Sequence, residues 1–122
     1  MVASVPWRAL ALAWWGLTWW FLFKPASGEP PPFEHYDKLG HFLLFFVQGL
    51  LLVPAWRARA WRLMLALALW AVLSELAQGA FTADRMADPF DALADMAGGA
   101  CALALWWAVL GRSGKLLSLI GR

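Results

Sequence analysis

Six ionisable side chains lie in ELAQGAFTADRMADPFDALAD, residues 75–95, between two long apolar runs. Asp91 and Asp95 are four residues apart. On a helix they share a face, where like charges destabilise each other unless something binds them. A divalent cation is one such binder, so these two are the candidate metal ligands. Glu75 and Gln78 also share a helix face, and a carboxylate two turns inside an apolar segment needs a partner within the bundle. Its nearest cation in sequence is Arg85, whose planar fork suits a carboxylate or a phosphate equally. Asp37, Lys38 and His41 form a third polar group, with Gln48 two turns beyond His41 on the same side. Asp37 can cap a helix and accept a hydrogen bond from His41. Asp88, followed by Pro89, reads as an N-cap with Asp91 in the first turn. As acid–base groups the candidates are His41, Glu75 and Asp91. The candidate binding set is Asp37, Lys38, His41, Glu75, Gln78, Arg85, Asp88, Asp91 and Asp95.

Such groups need rigid elements to hold them, and the composition says which kind. The chain of 122 residues is 62% hydrophobic and only 15% charged, against about 25% charged in soluble domains. With a mean hydropathy of +0.60, this is the composition of a membrane protein. Its length fits one domain over residues 1–122, an all-α, integral membrane four-helix bundle with helices at about 6–23, 38–53, 61–81 and 89–110. Pro6 opens the first apolar run, and Lys24 with Pro25 closes it; the four tryptophans within its core fit a retained anchor better than a cleaved signal peptide. The prolines of KPASGEPPPFEHYD mark a linker, and Pro54 ends the second run.

Lysine and arginine fall seven to three on alternating sides: Arg8, Arg57, Arg59, Arg62, Arg112, Lys115 and Arg122 against Lys24, Lys38 and Arg85. This bias places both termini in the cytoplasm and turns the polar stretch outward. The basic residues cluster at the ends of apolar runs and form no stripe, which argues against nucleic acid as a partner. Trp7, Trp56, Trp61, Trp106 and Trp107 should mark one interface and Trp19 and Trp20 the other, with Trp14, Trp15 and Trp70 packed deeper. The lone Cys101, in an apolar run, is expected to be packing, and the tail RSGKLLSLIGR to lie as a helix on the inner surface.

The segments DKLGHFLLFFVQGLLL, ELAQ and RMADPFDALADMAGG, in that order and separated by a basic loop, resemble the VanZ-like family of small bacterial membrane proteins. The likeness covers roughly residues 36–100, most of the chain. The family pattern falls on Asp37, Lys38, His41, Glu75, Gln78, Arg85, Asp88, Asp91 and the pair Gly98 and Gly99. One position departs: Asp95 stands where the family usually has Asn. The resemblance implies a bacterial cytoplasmic membrane protein in a family linked to teicoplanin resistance. It leaves cofactors and any reaction open. From it and the residues we expect an outward-facing site that binds or remodels a lipid headgroup or lipid-linked envelope precursor. The alternatives are a membrane-embedded hydrolase or transferase, and an accessory subunit without chemistry.

Overall fold

The computed structural model describes residues 5–24, 30–82 and 87–110. They form four helices, α1 (Trp7–Phe23), α2 (Tyr36–Trp56), α3 (Ala60–Phe81) and α4 (Pro89–Leu110), with no strand among the described residues. The all-α class and the helix order are those expected. Three helices, Tyr36–Trp56, Ala60–Phe81 and Pro89–Val109, are long and apolar enough to cross a membrane. The 17 residues of α1 extend about 26 Å, a little short of the ~30 Å apolar layer. The expected surface helix in the tail lies outside the described residues.

Two expectations about α2 are corrected. It begins at Tyr36, after His35 in a left-handed conformation (φ 62°), so Asp37 sits in the first turn and does not cap it. It also runs past Val53 and through Pro54 to Trp56. A proline inside a helix leaves the carbonyl four residues earlier without its N–H donor. Here that carbonyl belongs to Leu50, and Trp106 of α4 supplies the missing proton, its Nε1 donating to Leu50 O at 2.9 Å. Trp106 is therefore half-buried between helices and does not simply mark an interface. The helix then stops at Arg57, also left-handed (φ 52°), and the Arg8 side chain donates to the terminal carbonyl of Ala55 at 2.9 Å. Terminal carbonyls have no partner within their own helix, so this contact fastens the start of α1 to the end of α2.

The helices alternate in direction, and the most extensive pairing is between α2 and α4, which run parallel. Small residues explain it. A Cβ added to Gly98 would overlap the carbonyl oxygen of Phe42, and one added to Gly49 would come within 2.7 Å of Ala102 Cβ. Gly99 faces Leu67 of α3, where an added Cβ would meet Leu67 Cδ1 at 2.8 Å. Backbones approach this closely in membranes only where side chains are absent or nearly so. Phe45, Leu67, Ala71 and Ala92 form the buried centre of the bundle. On the opposite face of α3, Leu65, Leu69, Val72, Leu73 and Leu76 are exposed, the stripe that a lipid-facing helix presents. Cys101 is likewise exposed on α4, so the packing role expected for it does not hold.

The first helix is held mainly by polar and aromatic contacts. Trp14 Nε1 donates to Leu44 O at 2.8 Å, and Trp70 of α3 meets the rings of Trp15 and Trp19 at centroid distances of 5.6 and 4.8 Å. Trp14 and Trp70 are thus packed between helices as expected, whereas Trp15 keeps an exposed face and Trp19, expected at an interface, also meets Trp70. At the helix ends cations lie over rings, Arg8 over Trp56, Arg62 over Trp61 and Lys24 over Trp20, as suits a membrane–water boundary.

Candidate functional site

At one end of the bundle the start of α2, the end of α3 and the start of α4 meet. His41 lies five residues inside α2 and Glu75 six residues before the end of α3, depths of about 7 to 9 Å at helical rise. Asp91 and Asp95 occupy the first two turns of α4. The helix directions place these groups at one end of the bundle, and the close packing of α2 on α4 brings them into contact.

They form two layers. In the outer one Lys38 Nζ lies 3.0 Å from Asp37 Oδ2, 2.7 Å from Asp88 Oδ2 and 2.9 Å from Asp91 Oδ1. One ammonium thus joins three carboxylates and ties the start of α2 to the start of α4. Asp88 also caps α4, accepting the amide of Phe90 at 2.9 Å, as its place before Pro89 predicts. Lying before the span, its carboxyl is held below the ordinary value of 3.8, first by the Lys38 hydrogen bond and then by the Phe90 amide.

In the inner layer His41 is buried, with Nδ1 2.8 Å from Asp95 Oδ1 and 3.8 Å from Glu75 Oε1, and Nε2 3.4 Å from Asp91 Oδ2. Asp95 is fully buried and Glu75 nearly so, at 0% and 4% exposure. Glu75 Oε2 accepts the backbone N–H of Asp88 at 2.9 Å, while Glu75 Oε1 and Asp95 Oδ2 are buried without a hydrogen-bond partner among the described residues. Two groups of three can each converge on a cation, their ligand atoms lying within 4.8 Å of one another: His41 with Glu75 and Asp95, and Asp37 with Asp88 and Asp91. Asp91 and Asp95, the expected metal pair, thus fall into different groups.

Seven of the nine candidate binding residues come together: Asp37, Lys38, His41, Glu75, Asp88, Asp91 and Asp95. Arg85, expected to pair with Glu75, lies outside the described residues. Gln78 turns elsewhere: its Nε2 donates to Leu22 O at the end of α1 at 2.6 Å, and Gln48 Nε2 likewise donates to Ala11 O at 3.2 Å. Both glutamines brace α1. The partner expected for His41 was Asp37, and the structure gives it Asp95 instead, because α2 and α4 run side by side. Sequence reasoning missed Lys38 as the common partner of three acids, although an excess of carboxylates at two helix starts already required a cation. Among the described residues the hydroxyls of Thr18, Ser74 and Thr82 each donate to a carbonyl of their own helix, Trp14, Ala71 and Gln78. None is placed as a nucleophile beside His41. A crevice of about 270 Å³ between α1, α2 and α3, bounded by Ala11, Trp15, Gln48, Leu52 and Trp70, lies further along the helices and contains no charged group.

The model of the VanZ/LLP1 family matches residues 4–111, nearly the whole chain, and the protein belongs to that family. No curated protein and no solved structure is similar enough to match it.

Proposed function

We propose that this VanZ-family protein sits in the bacterial cytoplasmic membrane and engages the polar headgroup of a lipid, or of a lipid-linked envelope precursor, at the His41 cluster. The observation that carries the reading is the depth and burial of His41, Glu75, Asp91 and Asp95 at the ends of three helices. Charged groups inside an apolar span are costly unless they face one another or a polar ligand, and this group sits at headgroup level. Lys38, Asp37 and Asp88 form the rim by which a headgroup would enter. The family's link to teicoplanin, a glycopeptide with a lipid anchor, agrees with a site at the envelope surface.

The test is headgroup analysis of the protein purified in mild detergent. The wild type should carry one headgroup class enriched over the bulk membrane, and Asp91→Asn should lose that enrichment while remaining monodisperse. Equal lipid profiles for the two proteins and the membrane extract would sink the reading. Where a host shows glycopeptide resistance, growth under teicoplanin should follow the same order.

A hydrolytic version of this reading is favoured by one contact, the 2.8 Å approach of His41 Nδ1 to Asp95 Oδ1. An imidazole whose Nδ1–H is held by a buried carboxylate keeps a fixed tautomer and presents Nε2 as a base. With no hydroxyl placed as nucleophile among the described residues, water would be the attacking group. Release of a soluble headgroup from purified lipid by wild type, and not by His41→Gln, is the result this version requires.

A further inference from the structure

The two layers differ in how their negative charge is met. In the outer layer the Lys38 ammonium stands among Asp37, Asp88 and Asp91 at 2.7 to 3.0 Å, the position a cation should take. In the inner layer no lysine or arginine among the described residues approaches Glu75 or Asp95. Glu75 Oε1 and Asp95 Oδ2 are nonetheless buried and have no hydrogen-bond partner among the described residues. Buried polar atoms in native proteins rarely lack a partner, and each exception needs an explanation.

We propose that His41 Nδ1, Glu75 and Asp95 are the ligands of one divalent metal ion. The two separations from His41 fit, and the third pair of ligand atoms lies within 4.8 Å. Metal–ligand bonds of roughly 2.1 Å, set at angles between about 85° and 130°, place neighbouring ligand atoms about 2.8 to 3.8 Å apart. The distances from His41 Nδ1 to Asp95 Oδ1 and Glu75 Oε1 are 2.8 and 3.8 Å. The other ring nitrogen has the neighbour that metal-bound histidines usually have: Nε2 faces Asp91 Oδ2 at 3.4 Å, a carboxylate placed to accept its N–H and fix the tautomer opposite to the one the hydrolytic version requires. Asp91 in turn is anchored by Lys38. An imidazole nitrogen in the set selects a first-row ion such as Zn²⁺ or Mn²⁺ over Mg²⁺ or Ca²⁺, which take oxygen ligands. Three protein ligands leave at least one position for water or a headgroup oxygen. The ion would offset the charges of Glu75 and Asp95 and so let an anionic headgroup approach an otherwise acidic pocket. That role rests on the headgroup reading; the binding itself does not.

Binding is measured on the full chain in detergent, stripped of metal with chelator and of lipid by exchange, so that its outcome is independent of headgroup binding. Titration with Zn²⁺ by calorimetry should give one ion per chain. His41→Ala, Glu75→Gln and Asp95→Asn should each weaken it at least tenfold. Glu34→Gln, at an exposed carboxylate outside both layers, should leave it within about threefold. Because an inner-layer variant can fail to fold, Mn²⁺ bound to the wild type is also examined by pulsed electron paramagnetic resonance, where coupling to an imidazole ¹⁴N is expected. No binding by wild type, binding that survives all three inner-layer variants, or Mn²⁺ bound without nitrogen coupling would each overturn the assignment.

Discussion

Asp88 shows how much one side chain can organise. It caps α4 with one oxygen, takes the Lys38 ammonium on the other, and gives its own amide proton to Glu75. Its carboxyl is held below 3.8 because both main partners, Lys38 and the Phe90 amide, favour the charged form. The sign of the pH dependence follows. A carboxyl whose folded pKa is depressed contributes stability that is fully present above its unfolded value and is lost as pH falls through the folded one. The melting temperature should therefore be insensitive to Asp88 between pH 7 and 5 and should fall below about pH 4. Asp88→Asn keeps the cap but not the charge; its melting curve should be the flatter of the two across that acid range. An equal acid slope in both proteins would mean that the Lys38 contact contributes nothing.

At the scale of the helices, the seam between α2 and α4 sets what the protein tolerates. Gly98→Ala puts a methyl against the Phe42 carbonyl, a backbone atom that cannot move without moving α2. Overpacking of this kind costs about 1–3 kcal/mol or more. At Gly16, in α1, an added Cβ meets nothing within 4 Å, so Gly16→Ala should be neutral or stabilise by up to about 1 kcal/mol through helix propensity. Thermal melting of the two variants in one detergent should shift in opposite directions, or at least separate clearly. The Trp106–Leu50 bond gives a second measurement. Trp106→Phe should destabilise the wild type, and less so in a Pro54→Ala background, where the substitution restores a backbone N–H for the Leu50 carbonyl; the coupling should be about 0.5–1.5 kcal/mol. Much of this level was legible in the sequence. Apolar run length and flanking prolines predicted the helices, and the polar spacing picked out most of the residues that meet. The end of α2 was not legible, because a proline inside a helix is tolerated only when some other group serves the orphaned carbonyl, and that group lies on α4. The partner of His41 was hidden for the same reason: spacing within a helix says which residues share a face, not which face of another helix they will meet. Gln78 looked like a site residue because braces and ligands carry the same polar signature.

For the molecule as a whole, orientation is the property that gives the cluster its meaning. The lysine and arginine bias predicts that the loop between α2 and α3 lies in the cytoplasm and the cluster on the outer side. Single cysteines at the exposed positions Glu34 and Arg59, in a Cys101→Ala background, test this with an impermeant thiol reagent on spheroplasts. Glu34→Cys should react on intact spheroplasts and Arg59→Cys only after lysis. The opposite pattern would place the cluster in the inner leaflet and remove envelope precursors beyond the membrane from its reach.

The parallel seam also fixes an order in time. His41 waits for Asp95, and the Leu50 carbonyl for Trp106, partners 54 and 56 residues later in the chain. Synthesis runs from the N-terminus, so α2 is complete before α4 is made. At that moment the Leu50 carbonyl is open, His41 lacks its acids, and Lys38 has only Asp37 of the three it will meet. Such a helix gains little from early release into lipid, where unsatisfied backbone groups are penalised most. The contacts between α2 and α4 can therefore close only after the last helix has been made.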